Sequence, residues 1–238
     1  MADDGGNASR SEKDEIRRHA KRWVQHVRRD VLTTPARRAA VRAALGGEPG
    51  EARTFVALGE VSAFLPESSK PAVERAFLTV AAMMCAQPLR PREQDIAAGQ
   101  ANPTPAATKD TARAEQADLV SGGSGSASTT SRPGSLGASC AEAVRKRLSR
   151  SGTMEARLHA LCRANNAGVH RQLPRLVALL RSGLVEVDWA RLIEDLARWD
   201  RYSQRRIAAT WLRDYYRQLN DEPDDTTGEE KNEHAEVH

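Results

Sequence analysis

Hydrophobic positions recur at three- and four-residue intervals through most of the chain, and no stretch alternates persuasively. This pattern predicts helices and no sheet. It is clearest between Asp188 and Leu219, where Trp189, Leu192, Ile193, Leu196 and Trp199 form one broad apolar stripe. Asp188 stands where an N-cap belongs, its carboxylate placed to accept from free backbone N–H groups. A second stripe, Ile207, Trp211 and Tyr215, has Ala208, Leu212 and Leu219 beside it. Six of the ten aromatic residues fall in this stretch. Arg191, Arg198, Arg201, Arg205, Arg206 and Arg213 stand off the stripes, which makes a hairpin of core-forming helices with cationic outer faces.

Upstream, residues 1–11 read as a disordered N-terminus, with Ser11 and Asp14 at capping-box spacing. A helix to about Val31 follows, with Ile16, Ala20, Trp23 and Val27 inward. Thr34-Pro35 starts a helix over Ala36–Leu45, and Gly46-Gly47 ends it. Arg53–Leu65 reads as helix with Phe55, Leu58, Val61, Phe64 and Leu65 inward, closed by Pro66. Ser69 and Pro71 open a helix to Ala86 that is apolar nearly all round, as a central core helix is. These elements make an N-terminal helical lobe over 12–88. Pattern then gives way to Pro, Gly, Ser, Thr, Ala and Gln, so 89–133 is expected to be a low-complexity flexible linker, with room for a short helix over Ala112–Leu119. Helices return at Ala138–Ser149, Met154–Ala164 and Gly168–Arg181, the last with Pro174 placed in its first turns. The last two of these, with the hairpin, read as a C-terminal four-helix bundle over 134–220. An acidic disordered tail, 221–238, completes an all-α chain of two lobes.

Charge changes the picture. The formal +4 conceals a tail with eight acids and one base; residues 1–220 hold 35 bases against 24 acids, a formal +11. Such a body attracts polyanions, nucleic acid first. Most of the excess is arginine, whose planar fork suits phosphate. Ranked by charge density, the candidate nucleic-acid contacts are Arg17, Arg18, Lys21, Arg22, Arg28 and Arg29; then Arg145, Lys146, Arg147 and Arg150; then Arg205 and Arg206. Gly134–Gly137, at a helix start, is a weaker phosphate candidate. No catalytic set, cofactor motif or metal-ligand set stands out. His159 and Cys162 lie one turn apart with no second pair, and His19 and His26 lie two turns apart. Cys85, Cys140 and Cys162 read as reduced, packed thiols. With no apolar run of spanning length and no signal peptide in view, the expected location is cytoplasmic. The competing class is a basic helical adaptor whose arginines bind proteins rather than nucleic acid.

The order Trp189, Leu192, Asp195, Leu196, Trp199, then Gln204-Arg205-Arg206, then Trp211 and Tyr215, resembles the end of the CasB family, the small subunit of the type I-E CRISPR surveillance complex, Cascade. His170–Leu173, Leu179–Gly183 and Gly134–Gly137 resemble that family too, and Arg42-Ala43-Ala44-Leu45 matches a block near its start. The resemblance is strong over roughly 134–217 and weaker over 12–88; 89–133 is longer than the family's usual crossing. It implies a non-catalytic antiviral subunit without cofactor that stabilises the R-loop. Its implied partners are the backbone and large Cascade subunits, a second copy of itself, guide RNA and target DNA including the displaced strand, and no membrane.

Overall fold

The computed structural model describes residues 4–67, 69–101 and 134–221, with side chains from Ser11 onward. Among them there is no strand. Ten α-helices follow one another: α1 (Asp4–His26), α2 (Pro35–Ala43), α3 (Phe55–Val61), α4 (Pro71–Ala86), α5 (Leu89–Ala101), α6 (Leu136–Arg145), α7 (Ser151–Arg163), α8 (Asn166–Ser182), α9 (Trp189–Ala197) and α10 (Gln204–Asn220). The expected helix over Ala112–Leu119 and the tail beyond Asp221 lie outside the described residues.

The helices form where the stripes place them. Ile16, Ala20 and Trp23 of α1 and Val27 just beyond it are buried, and Trp23 Nε1 donates to the Phe77 carbonyl of α4 at 3.2 Å. The middle of α4, from Ala76 to Cys85, is buried on every side, so it is the central helix of the N-terminal half. Asp188 caps α9, its Oδ1 accepting from the Arg191 N–H at 2.9 Å. Asn165, at the start of α8, does the same for Gly168 at 2.8 Å.

Five helices follow residue 134, and they do not all belong to one bundle. α6, α7, α8 and α10 pack together, while α9 lies mainly on α1 and α4 and meets α10 through Asp195 and Trp211. The two expected lobes therefore share one hydrophobic core, from Ile16 and Phe77 through Trp189 to Trp211. α6 and α10 approach most closely at Gly137, where a Cβ would overlap the Trp211 backbone carbonyl. Gly137 is thus a packing glycine. Ser135 through Ala138 are buried, so the start of α6 is not the open phosphate cradle its glycines suggested.

Other expectations are corrected. The N-terminus is helical from Asp4, not disordered to residue 11, because a helix nucleated over 11–26 extends at little cost. Phe55 points outward and is 58 % exposed: short 3₁₀ turns flank α3 at Ala52–Thr54 and Ser62–Phe64, shifting the phase assumed for one continuous helix. Pro174 lies well inside α8, which starts at Asn166. The expected linker is helical over Leu89–Ala101. Its sequence has almost no apolar periodicity because α5 is held mainly by polar contacts. Asp95, 3 % exposed, accepts from Arg28 Nη2 at 2.8 Å, Gln87 Nε2 at 2.8 Å and Trp189 Nε1 at 3.2 Å. Arg181 of α8, 2 % exposed, donates to Gln87 Oε1 at 2.6 Å and to the carbonyls of Val185 at 2.8 Å and Pro91 at 2.9 Å. Gly99 lets the backbone of α5 reach the chain just after α1, since a Cβ there would stand 2.7 Å from that of Arg28.

Candidate nucleic-acid interface

The structure divides the cationic residues into those spent on the fold and those left open. On α1, Arg17 leans toward α9 and lies 3.7 Å from Glu194, which also draws Lys13 at 3.5 Å and Arg198 at 3.6 Å. Glu194 is 4 % exposed, so these cations offset the cost of its buried charge. Beyond His26 the helix widens into a π turn over Val27–Val31, with Leu32 N–H donating to the Val27 carbonyl at 2.9 Å. That turn shifts the side-chain phase. Arg28 is directed onto Asp95, and Arg29 Nε donates to the Gly99 carbonyl at 3.0 Å, at the C-terminal end of α5, where a cation suits the helix dipole. The expectation of one open cationic face through Arg29 is therefore corrected: Arg28 and Arg29 bind α5. Arg18, Lys21 and Arg22 remain, exposed and without an ion-pair partner among the described residues.

In the second cluster, Lys146 pairs with Glu142 at 2.8 Å, and Arg145 Nη2 donates to Gln218 Oε1 of α10 at 3.5 Å. Arg147, at φ 58°, takes the left-handed conformation that closes α6, and its side chain is exposed. Arg150, at the start of α7, is exposed as well. Tyr215 OH donates to the Ser151 carbonyl at 3.1 Å, so this cluster adjoins the C-terminal end of α10.

α10 itself carries what charge density ranked lowest. Its core side is Ile207, Ala208, Trp211 and Tyr215, all buried. Its outer side holds Arg205, Arg206, Arg213 and Arg217, all exposed and none ion-paired among the described residues. Spacings of seven, eight and eleven residues keep these arginines on one face, over about 18 Å at 1.5 Å per residue. The one acid of α10, Asp214, faces Arg191 of α9 at 3.7 Å, away from that side. Glu155 of α7 lies at the flank, accepting from Tyr216 OH at 2.6 Å. The sequence ranking passed over Arg213 as a site and did not name Arg217. The signal was there in a helix with four arginines on its polar face and its single acid off it.

Several titratable groups are shielded within the helical core. Asp195 accepts from Trp211 Nε1 at 2.7 Å, and burial pushes its carboxyl up to about 6. His170 has Nδ1 3.0 Å from Thr79 Oγ1, and burial, with Arg75 nearby, holds it down to about 3 and so neutral. Burial raises Cys85 and Cys140 to about 12 and Cys162 to about 11, so all three remain thiols. Among the described residues no group of His, Cys, Asp and Glu is arranged to hold a metal ion, and no helix is long and apolar enough to cross a membrane. What the arrangement offers is a cationic helix face backed by a rigid core, suited to phosphate.

Comparison with known proteins agrees with the helical order. CRISPR-associated protein Cse2 of Thermus thermophilus is 35 % identical over 82 residues, which cover 34 % of this chain and 46 % of that protein. The chain thus matches about half the length of that relative. Among solved structures, a chain of a "CRISPR RNA-guided surveillance complex" is similar at TM-score 0.67 and 36 % identity, covering 86 % of this chain and 95 % of that one. A chain of a "CRISPR RNA-guided surveillance complex, pre-nicking" is similar at the same TM-score and identity, with 96 % of its length covered. The family model described as CRISPR-associated protein Cse2 matches residues 37–216, most of the sequence. On that match, and in agreement with the CasB resemblance, the chain belongs to the CRISPR-associated protein Cse2 family.

Proposed function

We propose that this protein is the non-catalytic small subunit of a type I-E RNA-guided surveillance complex in antiviral defence. In that role it steadies the R-loop by holding nucleic-acid backbone without reading sequence. It sits beside the backbone and large subunits of Cascade and a second copy of itself, against guide RNA and target DNA with its displaced strand. The similar chains come from structures titled as surveillance complexes, which supports the assembly. The observation that carries the nucleic-acid role is the outer face of α10, four exposed arginines in a row with no acid among them. R-loop formation exchanges one duplex for another of similar stability, so contacts worth a few kcal/mol displace the balance. Phosphate contacts by arginine release condensed counterions and make such binding strongly salt-dependent. Arg147 and Arg150 extend the track at one end of α10, and Arg18, Lys21 and Arg22 on α1 form a separate, secondary patch. Arg17, Arg28, Arg29, Arg145 and Lys146 contribute less, because each already has a partner within the fold.

The test is the assembled complex carrying Arg205→Glu, Arg206→Glu, Arg213→Glu and Arg217→Glu, titrated with target DNA over a range of salt. We expect at least a tenfold loss of R-loop affinity at moderate salt, with a log–log salt slope shallower by about 0.7 for each single-strand phosphate no longer held by an arginine. A complex that assembles normally and keeps both affinity and slope would remove α10 from the interface.

A further inference from the structure

The turn between α9 and α10 presents an aromatic ring that the fold does not use. Tyr202 is 82 % exposed, the highest exposure of any large hydrophobic side chain among the described residues. The turn that carries it is clamped on both sides. Asp200 Oδ1 accepts from the N–H groups of Tyr202 at 2.8 Å and Ser203 at 2.7 Å. Before it, Trp199 is buried and its Nε1 donates to the Ala164 carbonyl at 3.0 Å. After it, Gln204 Nε2 donates to the carbonyls of Cys162 at 3.0 Å and Ala164 at 2.9 Å. The ring is therefore displayed from a fixed base, so little ordering entropy opposes a contact with it. The guanidinium of Arg201 lies over the ring, 5.4 Å from its centroid, and the remaining exposure leaves a face open. Arg205 and Arg206, in the first turn of α10, follow directly.

We infer that Tyr202, backed by Arg201, is a stacking platform for one unpaired base of a single strand whose backbone lies on the arginines of α10. The inference rests on the nucleic-acid reading of α10 and adds the residue that engages an unpaired base. A base inside a duplex has both faces covered by its neighbours, whereas an unpaired base offers a face to an aromatic ring. Arginine adds cation–π and stacking attraction without base selectivity. The platform thus distinguishes strand from duplex and leaves sequence unread.

The experiment uses the full chain with a thymidine homopolymer and a duplex of the same length, at a salt concentration where both bind. Tyr202→Ala is expected to weaken strand binding at least about fivefold and leave duplex binding unchanged, while Tyr202→Phe and Tyr202→Trp keep wild-type affinity. A strand carrying 5-iododeoxyuridine is expected to photocrosslink at position 202. Wild-type strand affinity in Tyr202→Ala, an equal loss on strand and duplex, or a Tyr202→Phe variant as weak as Tyr202→Ala would each overturn the platform. If Arg205→Glu with Arg206→Glu abolishes binding while Tyr202→Ala changes nothing, the platform fails and the α10 reading stands. If the wild-type chain binds neither DNA at low salt, the α10 reading fails and takes the platform with it.

Discussion

Arg181 and Arg213 are the same residue type on two helices of the C-terminal half, α8 and α10, and the fold gives them opposite tasks. Arg181 is sealed between α5, α8 and the start of α9, with its N–H groups divided among carbonyls, Gln87 and Gln94, and Asp95 3.5 Å away. Arg213 lies in solvent on α10 with no acid opposite it. An arginine becomes structural when a buried carboxylate and unsatisfied carbonyls surround it; otherwise its charge remains available. Arg28, in the π turn, and Arg18, on α1, repeat the contrast. A count of cations along a helix overstates the binding surface by those that hold the helix to its neighbours.

The largest effect should separate the two classes most sharply. Arg181→Met removes one side of a buried charged network and is expected to cost about 3–5 kcal/mol, read as a lowered urea midpoint. Arg213→Met should move stability by less than about 0.5 kcal/mol. Equal losses from the two would break the distinction between sealed and open arginines.

A half-buried acid without an arginine hydrogen bond sharpens the comparison further. Asp195 is raised from its ordinary 3.8 to about 6 by burial, against the opposing pull of Trp211. The native state therefore holds its proton more tightly than the unfolded state. The penalty for ionisation grows as pH rises from about 4 to 6 and is constant above that, on the order of 2–3 kcal/mol. His170 acts oppositely: lowered from 6.5 to about 3, it withdraws stability as pH falls through that window, because the unfolded state takes up its proton first. Asp195→Asn, whose amide oxygen still accepts from Trp211, should gain stability at pH 7. Its stability should also drop more steeply than wild type between pH 6 and 4, with the His170 effect no longer offset. Denaturant midpoints at pH 4, 5, 6 and 7 measure this; identical pH profiles for variant and wild type would contradict the assignment to Asp195.

The smallest expected effect compares two open faces. Reversing Arg18, Lys21 and Arg22 to Glu should lower DNA affinity less than reversal of the four α10 arginines, by about threefold or less at moderate salt, because these three cations stand apart from the α10 track. A loss as large as that from α10 would put α1 back at the centre of the interface.

Much of the helical order was legible. The stripes of α1, α4, α9 and α10 and the capping Asp188 are local signals, set by the spacing of apolar side chains and by one carboxylate at a helix start. The resemblance carried by Trp189, Asp195, Trp199 and Trp211 pointed to the family that the match over 37–216 establishes. α5 was illegible because Pro91, Gln94, Asp95 and Gly99 have the composition of a linker, and only Arg28, Gln87 and Arg181 brought around them make a helix of that segment stable. Phe55 was misplaced because 3₁₀ turns break the period on which its inward placement depended.

Spacing and charge are local properties of the chain. They were enough to establish most of the helices, the faces of those helices that seek a core, and the excess of positive charge in the body before the tail. Only the packing of distant segments settled that α9 lies mainly on α1 and α4, and which arginines remain outside. An apolar stripe states that a face must be covered but not by what, and a guanidinium is free or engaged according to groups that lie far from it in the chain.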